Sequence, residues 1–349
     1  MGRLRFLIAL LVLPLSAAAI VAPRYIADPY GVFHGAEETT SKRINLRVAK
    51  QRWLSKHCGE YEGYIFGNSR ATGYETRMLS EVYGVDFYNM TVPTESWRGI
   101  QARTDWLIDH CDPKIFVVTL DPGATRFPFF TRDYARLEPP ALSGRPAIRF
   151  YADYLRAPLS KAVNDAGTAP RGYVYEPATG HWRYPEAEAA RNAGEEAFPW
   201  RGCSNQASRP YRARHYRSQD RIMRWIQRRA INADIDLVWV VHPLGAPILN
   251  QQGKEVYLKW TDAMLARTEE LVFLGGYHEF AEDPLNYWDD SHFRPSATAD
   301  LYRQAIEGPV SRNMVGVWTP ERRNALRAKI NRSYAAHIAA CNAQAGREK

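Results

Sequence analysis

The sequence predicts an α/β fold built on a central parallel sheet. Two observations carry that expectation: short apolar runs alternate with helix-period segments, and glycines and prolines punctuate the joints. A hydrophobic fraction of 45%, with 20 Tyr, 13 Phe and 10 Trp, supplies enough apolar surface to offset the entropy of ordering the chain. Parallel neighbours require crossovers of a dozen residues or more, and helix-period segments of that size lie between the apolar runs.

Taken in order, the chain opens with Arg3 and Arg5 ahead of an apolar run from Phe6 to Ala22. Basic residues before such a run mark a secretory signal or an uncleaved anchor, and at roughly 17 residues the run is near the short limit for a span. The expected arrangement is a retained transmembrane segment over residues 1–24 with the rest of the chain outside; Ser16-Ala17-Ala18-Ala19 keeps cleavage and secretion open as the alternative. Asp28-Pro29-Tyr30-Gly31 then reads as a turn that lands the chain on its domain. A basic amphipathic helix is expected over Ser41–Lys56.

The alternation follows. Strands are expected at Gly63–Phe66, Asp86–Met90 and Ile115–Leu120, with helices at Ala71–Tyr83 and Ser96–His110 between them. Residues 121–210 break the rhythm with prolines, glycines and aromatic clusters, and read as an insertion and candidate substrate lid, or equally as an irregular structural excursion. Helix Tyr211–Ala233, strand Asp236–Val241, helix Glu255–Leu271, an apolar run near Leu271–Leu274 and a closing helix Ala297–Ile306 resume it. The α/β domain thus occupies residues 25–319, and residues 320–349 form a basic helical tail.

The four cysteines show no zinc-ligand spacing, so no metal is expected. Cys58 and Cys111 each precede a strand and would enter the sheet at one end, which makes them a candidate disulfide; two buried thiols are the alternative. The net charge of +8 suits anionic lipid, an acidic glycan or plain solvation. Nucleic acid is not expected, because the chain reads as exported and has no basic helix with base-reading spacing.

In an open parallel sheet, ligands bind outside the carboxyl ends of the strands. Ser69, in Gly67-Asn68-Ser69-Arg70, sits there directly after the first strand, with a glycine to turn the chain and the start of a helix to favour negative charge. A serine hydroxyl needs a base, and His292 in Asp289-Asp290-Ser291-His292-Phe293 is the best candidate, with Asp289 on the same loop to orient it and Asp290 as a stand-in. Arg70, a cation at a helix start, calls for an anionic partner: Asp121 or a substrate. His242 could line the crevice, and Trp182 with its aromatic neighbours could stack on sugar or belong to the core.

These two blocks in this order, Gly67-Asn68-Ser69-Arg70 after strand one and Asp289-x-x-His292-Phe293 before a terminal helix, resemble the SGNH (GDSL-like) hydrolase superfamily. The Gly-x-Ser-Arg form, Asp28-Pro29-Tyr30-Gly31 and Leu120-Asp121 are similar to its exported, membrane-anchored members, which resemble polysaccharide O-acetyltransferases and D-alanyl-transfer-associated proteins. The resemblance implies a flavodoxin-like three-layer sandwich and a serine esterase or O-acyltransferase without cofactor. It also implies a domain on the outer side of a bacterial inner membrane, an acylated glycan or other envelope ester as substrate, and a membrane-bound acyltransferase as partner. Catalysis would fall to Ser69, His292 and Asp289, and the oxyanion to donors such as the Thr91 N–H or the Asn89 side chain, with Arg70 as a substrate-binding candidate. The chain departs from the pattern at two places: Tyr88-Asn89-Met90-Thr91 lacks the second block's glycine, and Leu120-Asp121-Pro122-Gly123 lacks the third block's asparagine. Those departures leave a second reading, a non-catalytic scaffold or glycan-binding component.

Overall fold

The protein is described here from a computed structural model that covers residues 12, 15, 18, 19, 21–39, 44–122, 128–131, 133–156, 174–193, 203, 213–308 and 314–347. The expected span at residues 6–22 lies largely outside that set, and among the described residues no helix is long and apolar enough to cross a membrane.

A six-stranded, mostly parallel sheet forms the centre of a mixed α/β fold. Its strands are β1 (Gly63–Phe66), β2 (Phe87–Asn89), β3 (Ile115–Leu120), β6 (Asp236–Val241), β7 (Leu271–Phe273) and β8 (Gly316–Trp318), in the order β2-β1-β3-β6-β7-β8. All pairs are parallel except β7 with β8. Every residue of β1 and β3 is buried, as expected of strands covered on both faces. Alternate side chains feed two cores. Tyr64, Phe66, Phe116, Val118 and Leu120 pack with helices α3 (Trp97–His110) and α6 (Ala213–Asn232), together with α7 (Lys254–Leu265) and α9 (Arg323–Arg347). Ile65, Ile115 and Val117 point the other way, against α2 (Thr76–Tyr83) and α8 (Pro295–Glu307).

Several elements differ from expectation. The helix foreseen from Ala71 begins only at Thr76, because burial of the Tyr74 ring against Phe293 and Tyr302 draws the backbone at Tyr74 and Glu75 into an extended conformation. A five-residue 3-10 turn, Ser69–Gly73, takes its place. Helix α1 (Leu46–His57) starts where Asn45 Oδ1 accepts the Arg47 and Val48 N–H groups, and its basic residues are not simply solvated: Arg47 and Lys50 are buried. The residues expected as a helix up to Leu271 split into α7 and β7, and β8 was not foreseen.

Within the insertion lie α4 (Ala147–Leu155), a hairpin of β4 (Val174–Tyr175) and β5 (Trp182–Arg183), and α5 (Pro185–Asn192). The hairpin is knitted to the domain: Asn89 N–H donates to Thr179 O (2.9 Å), Thr72 Oγ1 to Trp182 O (2.6 Å), and Thr76 N–H to His181 Nε2 (2.9 Å). Gly180 has a positive φ of 70°, and a Cβ there would stand 2.3 Å from Asn89 O, so only glycine fits the turn. Trp182 is buried in this contact, which places it in the core rather than on a sugar-binding surface. Cys58 is bonded to Cys111, with Cα atoms 5.3 Å apart, and Cys203 to Cys341, 5.4 Å apart; the second bond ties the insertion to α9.

Candidate active site

The chain leaves β1 and runs one way to β2, then crosses back to β3 on the other side of β1, so a crevice opens between the carboxyl ends of β1 and β3. Ser69 follows β1 there and Asp121 follows β3. Gly67 makes this possible through contact rather than through an unusual turn: a Cβ would lie 2.0 Å from Thr119 Oγ1 and 2.7 Å from Ala71 Cβ.

Ser69 Oγ lies 2.8 Å from His292 Nε2. On the far side of the ring, His292 Nδ1 lies 2.7 Å from Asp289 Oδ2 and 2.9 Å from Oδ1. Asp289 also accepts the N–H groups of Ser291 and His292, both at 2.8 Å, and the Ser291 hydroxyl at 3.1 Å. Desolvation pushes the Asp289 carboxyl up, but the hydrogen bond and charge of His292 and the two N–H groups outweigh it and hold the carboxyl well below its ordinary range. An ionised carboxylate only accepts, so Nδ1 carries the proton and Nε2 presents its lone pair to the serine hydroxyl. Residues 223 positions apart thus form one hydroxyl–imidazole–carboxylate chain.

Each half has its own anchor. On the serine side, Asp121 accepts Asn68 Nδ2 at 2.6 Å on Oδ2 and Arg70 Nη1 at 2.8 and 2.6 Å on its two oxygens, so one buried carboxylate grips both neighbours of Ser69. Asn68 Oδ1 accepts the Arg70 N–H (2.9 Å). His242 lies behind this cage, fully buried, with Nε2 3.8 Å from Asp121 Oδ2; burial lowers it to about 4, against the pull of Asp121, so it is neutral.

On the histidine side, Glu188 of α5 accepts Trp288 Nε1 (2.9 Å), Arg294 Nε and Nη2 (both 3.1 Å) and the Ser296 hydroxyl (2.5 Å). Trp288 immediately precedes Asp289, and Arg294 follows His292 by two residues, so the loop is held at both ends. Burial works to raise the Glu188 carboxyl, but the bonds from Arg294, Ser296 and Trp288 hold it below its ordinary range. Gly73 joins the halves: a Cβ there would stand 2.3 Å from the Phe293 ring, so its absence lets the loop close on the serine turn.

The other candidates lie elsewhere in the network. Asn89 and Thr91 are fully buried, and Thr91 N–H and Oγ1 both donate to Asn89 Oδ1, at 2.9 and 2.6 Å. Their carbonyls accept Lys50 Nζ at 2.8 and 2.6 Å. The Thr91 N–H is therefore engaged by Asn89 Oδ1, whereas Asn89 Nδ2 is buried without a hydrogen-bond partner among the described residues. Arg70 is paired with Asp121, and the expected long helix after Ser69 is a 3-10 turn too short to contribute a substantial dipole. Asp290 makes no contact with the imidazole chain comparable to that of Asp289, whose bonds to His292 carry it. Glu188 and Lys50 carried no local signal in the sequence; their partners lie 100 and about 40 residues away. Among the described residues no cluster of His, Cys, Asp and Glu could hold a metal ion. Compared with known protein families and with curated proteins, the sequence matches none.

Proposed function

We propose that the protein is an SGNH-type serine esterase or O-acyltransferase with a flavodoxin-like three-layer fold, anchored by its N-terminal apolar segment and acting on an acyl ester of an envelope glycan or exopolysaccharide. The observation that carries this reading is the 2.8 Å approach of Ser69 Oγ to an imidazole whose other nitrogen is held by Asp289.

In this reading Ser69 Oγ attacks the ester carbonyl as its proton passes to His292 Nε2, and Asp289 stabilises the imidazolium. The tetrahedral intermediate collapses as the C–O bond to the leaving alcohol breaks and His292 returns the proton to that oxygen. Water or a glycan hydroxyl then repeats the sequence on the acyl-serine, giving hydrolysis or transfer. The oxyanion falls to the Ser69 N–H, which opens a helical turn where such groups lack an intrahelical acceptor, with the positive charge of Arg70 adjacent. A domain on the outer face of a bacterial inner membrane, with a membrane-bound acyltransferase as acyl source, fits this chemistry.

The occupied Thr91 N–H and the pairing of Asp121, where the superfamily pattern has an asparagine, favour a second reading: a glycan-binding scaffold that keeps the fold without turnover. Turnover of a chromogenic acetyl ester separates the two. The enzyme reading expects acetate release that Ser69→Ala abolishes; polysaccharide binding without release, unchanged in Ser69→Ala, supports the scaffold and contradicts the enzyme.

A further inference from the structure

Helix α4 is amphipathic twice over. Its inner face buries Phe150 and Tyr154 against Tyr30, Val32, Val48 and Leu137. Its outer face carries Ile148, Tyr151 and Leu155 at i, i+3 and i+7, an apolar stripe turned away from that core, with Ile148 82% exposed. Contiguous exposed apolar side chains of this kind mark interaction or membrane surfaces, whereas single ones are ordinary on a solvated face.

The stripe is continuous with the point where the N-terminal apolar segment reaches the domain. Tyr25 packs on Phe33 with ring centroids 5.1 Å apart, and Phe33 stacks on Tyr151 at 5.6 Å, so three rings lead from residue 25 to the outer face of α4. Ile26, 76% exposed, lies beside the first of them. The apolar run ends at Ala22, within about one helical turn of Tyr25. Asp28 fixes the geometry: its carboxylate accepts the N–H groups of Val32, Phe33 and His34 at 2.7 to 2.9 Å, and the Tyr154 hydroxyl at 3.1 Å, which locks the landing turn to α4. Cations rim the patch. Arg149 is exposed next to Ile148, and Arg156 is exposed at the helix end, sharing Asp153 with Arg145.

We infer that this face, Tyr25, Ile26, Phe33, Ile148, Tyr151 and Leu155, rests in the interfacial layer of the membrane that holds the N-terminal segment. Tyrosines at the headgroup level, aliphatic side chains just below and arginines paired with anionic headgroups are what that layer selects. The domain then sits against the bilayer in one orientation rather than swinging on a tether. The inference rests on the anchored reading proposed above.

The test uses the full chain in vesicles of equimolar phosphatidylcholine and phosphatidylglycerol, with all four native cysteines bonded. A fluorophore is placed at Ile148→Cys or, as a control, at Ile231→Cys, which is 75% exposed at the end of α6. Lipid carrying a spin label near the headgroup should quench position 148 about twofold or more and leave position 231 essentially unchanged. Flotation with the vesicles without selective quenching at 148, including burial of 148 against a second copy or another protein, overturns the docked face while leaving the anchor. Failure to float overturns both.

Discussion

The turn that carries Ser69 and the loop that carries Asp289 and His292 meet at hydrogen-bond distance, yet they are held by different kinds of support. The serine turn is fixed from inside the sheet: Asp121 stands at the end of the central strand β3, is 1% exposed, and takes bonds from the residues on both sides of Ser69. The histidine loop is fixed from outside it, by Glu188 on a helix of the insertion, partly open to solvent. The nucleophile is therefore preorganised with the core. The base depends on a segment that a minimal α/β domain would not contain, and the insertion acts as a brace for the imidazole.

The largest effect should come from the serine side. Asp121→Ala leaves Arg70 and Asn68 without their shared acceptor in a buried site, and breaking such a pair from one side should cost about 3 kcal/mol, read as a lowered denaturation midpoint. A loss below about 0.5 kcal/mol, the scale of ordinary surface changes, would mean the cage is not coupled to the core.

Acid should act next, on the serine side through His242 and on the hairpin through His181. His181 is held down to about 3 by burial, with Lys50 and Arg183 adding, and must stay neutral to accept the Thr76 N–H; His242 is held at about 4. Both take up protons more readily when unfolded, where histidine titrates near 6.5. Stability is then full above about pH 6.5 and falls as pH drops toward 4, by about 2 kcal/mol per histidine at pH 5. His242→Phe should remove about half of that slope; an unchanged slope would show that His242 titrates normally in the fold.

Glu188→Ala should be the mildest for stability and informative for chemistry. It releases Trp288, Arg294 and Ser296 at a partly exposed site, at a cost of about 1–2 kcal/mol, while a shift of the imidazole by about 1 Å should slow acylation of Ser69 about a hundredfold. The comparison breaks if Glu188→Ala lowers stability more than Asp121→Ala while leaving acylation intact.

The difference between the two supports also explains what was readable from sequence. Ser69, Asp289 and His292 announce themselves because each sits in a short local pattern: a glycine-turned serine after an apolar strand, and a carboxylate three residues before a histidine. Strand Asp236–Val241 was legible to the residue because five consecutive apolar residues, Leu237–Val241, run from an Asp to a His242-Pro243 stop. Glu188, Lys50 and the Tyr74 ring were not legible, since what defines them is a partner far along the chain. Lys50 shows the cost of local reading: it stands in a basic helix, yet it is buried on the carbonyls of Asn89 and Thr91 and fixes the loop after β2.

The central claim is that Ser69 is an activated nucleophile. Reaction of the intact protein with a fluorophosphonate, followed by peptide mass mapping, tests it at the atom concerned. A single adduct on Ser69 that forms at neutral pH and disappears in His292→Ala is the predicted result. An unlabelled Ser69, or labelling that persists at the same rate without His292, would contradict it.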